Sequence, residues 1–276
     1  MYIDTKLRDA FDPAAVFGVP ERTAPRPTIE GRATYDSDKS RMLKAAAAEF
    51  FVIEATTPDL LREAYRLRHQ VYCVERGFEA NVGSDMEIDA FDDHAPHVVV
   101  CRKTDGQVVG TVRLVLPTVD RSDFGLPIHH FCGAELADRA PLRLTGEVSR
   151  FAVSKERRGL SSDATALLRL ALVQGLVRLS RQYGVTHWCA VMERSLLRLL
   201  RATAIHFDAV GPMVEYHGIR QPAVASVGAI VQRMRAEQPE IWDFVTLAGS
   251  LWDCEDPAAS RPHSAAAQVH RMAMHG

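Results

Sequence analysis

The densest run of ionisable side chains in the 276-residue chain is MEIDAFDD, which supplies Glu87, Asp89, Asp92 and Asp93. Arg68, Arg113, Glu147 and Arg150 flank it along the sequence. Carboxylates and arginines brought from separate elements can hold a charged acceptor and take a proton from its amine. Read alone, the acidic run also fits a solvated loop. It is a poor calcium loop, because no glycine sits at the turn position and no bidentate Glu follows at the right offset. Glu147 and Arg150 are three apart, which puts them on opposite faces of a regular strand but on a common side if one residue bulges out. Such a bulge would free backbone N–H groups able to polarise a thioester carbonyl and to stabilise the oxyanion formed when an amine attacks it. Without the bulge the two residues read as a surface ion pair worth about 0–1 kcal/mol.

Two further groups of cations stand out. VSKERRGLSSDA carries Lys155, Arg157, Arg158 and Ser161 just before a long apolar segment. Backbone N–H groups at a helix N-terminus, with arginines beside them, suit the phosphate of a phosphopantetheine arm. An ordinary N-cap at Ser162 or Asp163 is the plainer reading. Arg194, Arg198 and Arg201 fall at i, i+4 and i+7. That spacing makes one basic helix face, either solvated or docked on an acidic partner. His94 and His97, and the pair His129 and His130, lack metal-ligand spacing, and His97 reads as the start of a buried strand. Cys101 and Cys189 sit inside apolar strands as core filler rather than as nucleophiles.

The elements that must position these residues follow from hydrophobic period. Glu49 to Ala55 reads as a strand, and Pro58 opens a helix through DLLREAYRLRHQVYCVER, with Leu60, Ala64, Leu67, Val71 and Val74 at helical spacing. A polar loop, GFEANVGSDMEIDAFDDHAP, precedes HVVVCRK and VVGTVRLVLP, two β-branched runs split by TDGQ as a hairpin. LRLTGEVSRFAVS is another strand, and DATALLRLALVQGLVRLSRQYG is a long helix ending at Gly184. VTHWCAVME supplies a strand, RSLLRLLRATAI a short helix and PAVASV a last strand. The order implies an α/β fold whose sheet carries helices on its faces.

Residues 1–47 mix Pro, Thr, Asp and Arg without period and read as a flexible arm, with a domain over 48–249 and a similar tail over 250–276. An apolar share of 47% allows a real core. A formal charge of -2 gives no global attraction to nucleic acid. Five scattered cysteines without a CxxC pair read as reduced thiols, and the start lacks a signal peptide, so a cytoplasmic protein is expected, free to touch membranes through lipid chemistry.

LRHQVYCVERGFE, MEIDAFDD, VVGTVRLVLP and GEVSRFAVS, in that order and spacing over residues 50 to 155, resemble the acyl-homoserine-lactone (autoinducer) synthases. They are more similar to the N-acyl amino acid synthases and the PEP-CTERM exosortase-associated acyltransferases grouped beside them. In that pattern Arg68 and Tyr72 match a helix Arg and an aromatic, and Phe78 stands where the quorum-signal synthases carry tryptophan. Glu87, Asp89 and Asp92 match an E-x-D-x-x-D element, Arg113 a strand arginine, and Glu147 and Arg150 an E-x-x-R pair. VGPMVEYHGIRQPAVASV extends the likeness to about residue 225. The acetyl-coenzyme A signature Q/R-x-x-G-x-G/A is only partly met, with Glu156 at its first position and Ser161 at its last.

The resemblance implies a GNAT-like acyl-CoA N-acyltransferase fold with a mixed, mostly antiparallel central sheet and helices on both faces. It implies an acyltransferase with no bound cofactor or metal, whose donor is a long-chain acyl thioester on acyl carrier protein or coenzyme A, the pantetheine arm lying between splayed central strands. The acceptor would be a small amine such as an amino acid. Glu147, Arg150 and Arg113 would then be catalytic, Arg68, Tyr72, Phe78, Glu87, Asp89 and Asp92 would form the acceptor side, and Lys155, Arg157, Arg158, Ser161, Arg194 and Arg198 the carrier side. Two alternatives stay open: a homoserine-lactone synthase using S-adenosylmethionine, and a non-catalytic module that binds an acyl carrier or lipid.

Overall fold

The computed structural model describes residues 41, 43, 48–80, 83–118, 120–121, 123–154 and 162–252. Strand β1 (Phe50–Glu54) leads through Thr57, whose hydroxyl caps the Leu60 N–H, into α1 (Pro58–His69). The sequence pattern predicts one helix to residue 76. Instead the α-helix ends at His69 and widens into a π-helical turn over Gln70–Glu75. That turn buries Val71 and aims the Tyr72 hydroxyl at the Phe151 carbonyl, 3.3 Å away. The hairpin β2 (His97–Arg102) and β3 (Val108–Val115) turns at Gly106, whose φ of 71° suits glycine.

There follow α2 (His129–Ala137), β4 (Thr145–Val153), α3 (Ser162–Tyr183), β5 (His187–Met192), α4 (Arg194–Ala202), β6 (Asp208–Ala209), β7 (Val214–Glu215), β8 (Ile219–Ser226), α5 (Val227–Glu237) and α6 (Pro239–Thr246). The sheet order is β1-β2-β3-β4-β5-β8-β6, with β7 on β8. Every pairing is antiparallel except β4–β5, which is parallel. This is the mixed, mostly antiparallel sheet that the family resemblance implied.

Alternation along the strands sorts the two faces. Val98, Val100, Val112, Leu114, Trp188 and Ala225 turn to one side and pack with the leucines of α3 and with Val227, Ile230, Met234, Ile241 and Val245 of α5 and α6. The opposite face carries Val99 and Cys101 under Ala64, Leu67 and Val71 of α1, and Val115, Cys189 and Val224 under Ile128, Cys132 and Leu136. The polar residues His97, Arg113 and Glu147 lie on this second face.

Helix α2, the β6 and β7 strands and the α5–α6 pair were not legible in the sequence pattern. Strand β8 runs straight into α5 with no loop, because Ser226 ends the strand and its hydroxyl caps the Ala229 N–H at 3.3 Å. Leu43, Leu251 and Trp252 join the α3-side core. Apart from these and from Arg41 and Ser250, the expected arm and tail lie outside the described residues. Among the described residues, no helix is long and apolar enough to cross a membrane.

Candidate active site

The acidic loop between α1 and β2 does not float in solvent. Three of its carboxylates alternate with three arginines in a closed ring of ion pairs. Arg68 Nε donates to Glu87 Oε2 at 2.6 Å, and Arg150 Nη2 donates to Glu87 Oε1 at 2.9 Å and to Asp89 Oδ2 at 3.0 Å. Arg113 Nη1 donates to Asp89 Oδ1 at 2.6 Å and to Asp92 Oδ1 at 2.7 Å. Arg68 Nη1 and Nη2 close the ring on Asp92 at 2.7 and 3.0 Å. The six formal charges cancel, and each guanidinium meets a carboxylate through two of its nitrogens, the arrangement that makes charge-assisted bonds strong.

Burial sharpens the electrostatics. Arg68 and Arg113 are fully buried, whereas the Arg150 and Asp89 side chains keep 13% and 26% of their surface. Burial pushes Glu87, Asp89 and Asp92 up, but the hydrogen bonds they accept outweigh it and hold all three below their ordinary values, Asp92 far below. His97 begins β2, buried, with Nε2 3.0 Å from Arg68 Nη1 and 3.2 Å from Asp92. Burial lowers its pKa, so the imidazole is neutral beside the ring.

The bulge foreseen between Glu147 and Arg150 is present. Thr111 pairs with Ala152 and Arg113 with Ser149, so Val112 faces two residues, Arg150 and Phe151. Arg150 takes φ 53°, the left-handed region that glycine usually fills in such bulges. Its side chain thereby turns to the face of Arg113 and Ser149, whose hydroxyl accepts from Arg113 Nε at 3.0 Å.

Glu147 sits beside the ring but outside it. It is 4% exposed, and its Oε2 accepts from the Ile128 N–H at 2.6 Å, just ahead of α2. Burial pushes its pKa up to about 8 against the pull of that N–H, Arg113 and Arg150. A carboxyl titrating near neutrality is suited to general acid–base work, unlike the locked ring carboxylates. Buried Cys132 and Cys189 lie near it, and burial raises both thiols, Cys132 to about 11, so neither is a ready nucleophile.

Strands β4 and β5 pair only over Thr145–His187, Gly146–Trp188 and Glu147–Cys189. Both continue, β4 to Val153 and β5 to Met192, without further pairing, so they part just past Glu147. The edge of β4 that runs through the bulge is therefore open towards β5.

The remaining expected site residues are distributed as follows. Tyr72 is close to the ring, its face 5.4 Å from the Arg150 guanidinium carbon. Phe78 lies at the seam between the sheet halves, stacked on His217 at 5.2 Å with Arg76 and Arg220 over its ring. Arg194, Arg198 and Arg201 are exposed on α4, whose Leu196, Leu197 and Leu200 pack inward. Lys155, Arg157, Arg158 and Ser161 lie outside the described residues. The sequence reading missed Glu79, Ser149, Glu193, His217 and Arg220. Ser149 carried a signal, since it alternates with Glu147, but the others meet the site only through the fold.

Residues 63–227 match the profile of the family described as N-acyl amino acid synthase FeeM. Among solved structures, FeeM, an N-acyl amino acid synthase from uncultured soil microbes, aligns with TM-score 0.52 at 14% identity, covering 68% of this chain and 97% of that one. TofI, solved with an inhibitor and MTA, aligns with TM-score 0.53 at 23% identity, covering 74% and 99%. The CoA-dependent acyl-homoserine lactone synthase BjaI, solved with SAM and isopentyl-CoA, aligns with TM-score 0.52 at 20% identity, covering 70% and 89%. At these identities the structural likeness is one of fold. No curated protein matches this chain.

Proposed function

This chain belongs to the N-acyl amino acid synthase FeeM family and is an acyltransferase; on that premise we propose that it moves a long-chain fatty acyl group from an acyl-carrier-protein thioester to the amine of an amino acid. The observation that carries the reading is the position of Glu147: buried, titrating near 8, and placed where β4 and β5 part. The thioester's pantetheine arm enters the gap between those strands, with its carbonyl on backbone N–H groups of the bulged strand. The acceptor reacts as the free amine, its ammonium proton having gone to solvent; the nitrogen attacks the thioester carbon, and Glu147 takes the proton that the nitrogen then sheds. The C–N bond forms, the C–S bond breaks, and the thiolate leaves with the proton Glu147 gained. No enzyme nucleophile is needed.

Because Arg68, Arg113 and Arg150 are spent on loop carboxylates, their part is to fix the acidic loop across the site rather than to attack substrate. Arg150 alone among them keeps a side open to the acceptor. The exposed arginines of α4 give an acidic carrier protein a docking face.

The test is to incubate the purified chain with palmitoyl-loaded acyl carrier protein or palmitoyl-coenzyme A and the proteinogenic amino acids, reading free thiol and product mass. Repeated thiol release with an N-acyl amino acid, lost in Glu147→Gln, supports the proposal and separates the two donors. An acyl group retained without turnover points to a binding module instead. A lactone formed only with S-adenosylmethionine selects the homoserine-lactone reading.

A further inference from the structure

Past Glu147, side chains join the two halves of the sheet. Arg220 Nη2 lies 3.4 Å and Arg76 Nη1 3.9 Å from the same Glu193 oxygen. Glu79 Oε1 lies 3.4 Å from His217 Nε2 on one side and 3.4 Å from Arg150 Nη2 on the other. These contacts are long beside the 2.6–3.1 Å bonds by which Arg150 and its neighbours are tied into the ring. A charge-assisted bond settles nearer 2.8 Å when its partners are free to close. Glu79 is thus a carboxylate held loosely between the Arg150 guanidinium of β4 and the His217 ring of the turn joining β7 to β8. The turn is fixed by two successive left-handed residues, His217 (φ 49°) and Gly218 (φ 96°), and by the stack of His217 on Phe78.

We propose that the gap between Arg150 and His217 is the seat of the acceptor's carboxylate, and that Glu79 occupies it as an intramolecular stand-in until an amino acid displaces it. The inference rests on the acyl-transfer reading above and adds to it where the amino acid's carboxylate binds and which residue holds that place beforehand. An α-amino acid carries its amine and carboxylate on one carbon. A carboxylate against the open side of Arg150 leaves the amine on the face that Glu147 shares, beside the open edge of β4. Around the seat lie Arg150, His217 and Glu79, with Glu87 and Asp89 on the same Arg150 nitrogen and, one contact further, Arg220, which donates to the His217 carbonyl. Both Glu79 and His217 are partly exposed, with 32% and 25% of their side chains accessible, so either can be replaced without opening the core.

The experiment compares each amino acid with its carboxamide as acceptor, starting with glycine against glycinamide, in the wild type, Glu79→Gln and His217→Gln. The wild type is expected to prefer the acid, and His217→Gln to cut that preference about tenfold, as loss of one bond to a charged group does. Glu79→Gln is expected to lower the acceptor KM while the KM for the thioester stays put. An acid-to-carboxamide preference unchanged in His217→Gln overturns the seat, and an acceptor KM unchanged in Glu79→Gln overturns the stand-in. A wild type that acylates no free amino acid brings down the acyl-transfer reading itself, whereas turnover with unresponsive variants brings down only this inference.

Discussion

Glu147 and Arg150, three residues apart on β4, share a face of the sheet because Arg150 adopts φ 53° and adds one residue opposite Val112. A non-glycine residue in that region costs about 1 kcal/mol of backbone strain. Comparing Arg150→Gly with Arg150→Ala isolates that strain, since both lose the same ion pairs. The glycine variant is expected to be the more stable by about 1 kcal/mol in urea unfolding. Equal stability would mean that the bulge relaxes once the guanidinium is gone.

The pKa of Glu147 ties activity and stability to pH in opposite senses. Its carboxyl titrates near 8 in the folded chain against 4.5 when unperturbed, so the native state binds more protons across that window and loses stability as pH rises through it. Turnover should rise over the upper part of the same window as the base ionises. In Glu147→Gln the expected loss of kcat is roughly 10²- to 10⁴-fold. The same variant should gain stability over wild type from about pH 5 to pH 9, reaching a few kcal/mol. A melting curve that shows no growing difference would place the ionised Glu147 in a wetter site than its burial implies.

The ring titrates the other way. The arginines hold Glu87, Asp89 and Asp92 below their ordinary values, so their stabilisation is present above the unfolded carboxylate range and is lost as pH falls through their folded values. Acid unfolding is therefore expected to set in below roughly pH 4. At neutral pH, Arg68→Met leaves Glu87 and Asp92 buried with too little compensating charge, at an expected cost of about 3–5 kcal/mol by urea denaturation. Arg68→Met tolerated within 1 kcal/mol, roughly the worth of a surface pair, would show that Arg113 and Arg150 alone balance the loop.

How much of this was readable in the sequence follows from where each contact lies. Strands of β-branched residues such as HVVVCR declare themselves locally, as does the long helix closed by Gly184. The bulge was readable because Glu147 and Arg150 could not otherwise cooperate. The ring was not, since a run such as MEIDAFDD looks solvated until three arginines from α1, β3 and β4 are brought over it. The meeting of Glu79 with His217 had still less signal, since it spans the seam of the sheet and neither residue belongs to a periodic pattern. Helices α5 and α6 follow β8 with hardly a loop between, and without turn residues the pattern gave no boundary to read.

The donor is tested through α4. Its arginines at 194, 198 and 201 are exposed while the leucines between them pack on Ala190, Met192 and Ala223, so charge there can change without disturbing the core. Arg194→Glu with Arg198→Glu should lower kcat/KM for an acyl carrier thioester at least about tenfold, and less at high salt, while the same acyl group on coenzyme A is used as before. Equal loss with both donors would mean that the arginines serve the thioester arm rather than the carrier protein.

One packing contact sets how α3 meets the sheet. Gly175 lies in the middle of α3, and a Cβ built there would come 2.3 Å from Val98 Cγ1 and 2.7 Å from Cγ2. Val98 is 1% exposed and follows His97, the ring's neighbour on β2, so it cannot swing away without moving the strand. Alanine normally favours a helix over glycine by about 1 kcal/mol, yet here overpacking outweighs that gain. Gly175→Ala is therefore expected to destabilise by about 1–3 kcal/mol, read by thermal or urea unfolding. Val98→Ala alone loses two buried methyl groups, but in combination with Gly175→Ala the new methyl fills part of the space it leaves. The double variant should be more stable than the sum of the two single losses, the sign expected for residues in direct contact. Strict additivity would show instead that the helix shifts bodily along the sheet, in which case Gly175→Ala should also perturb turnover through β2 and His97.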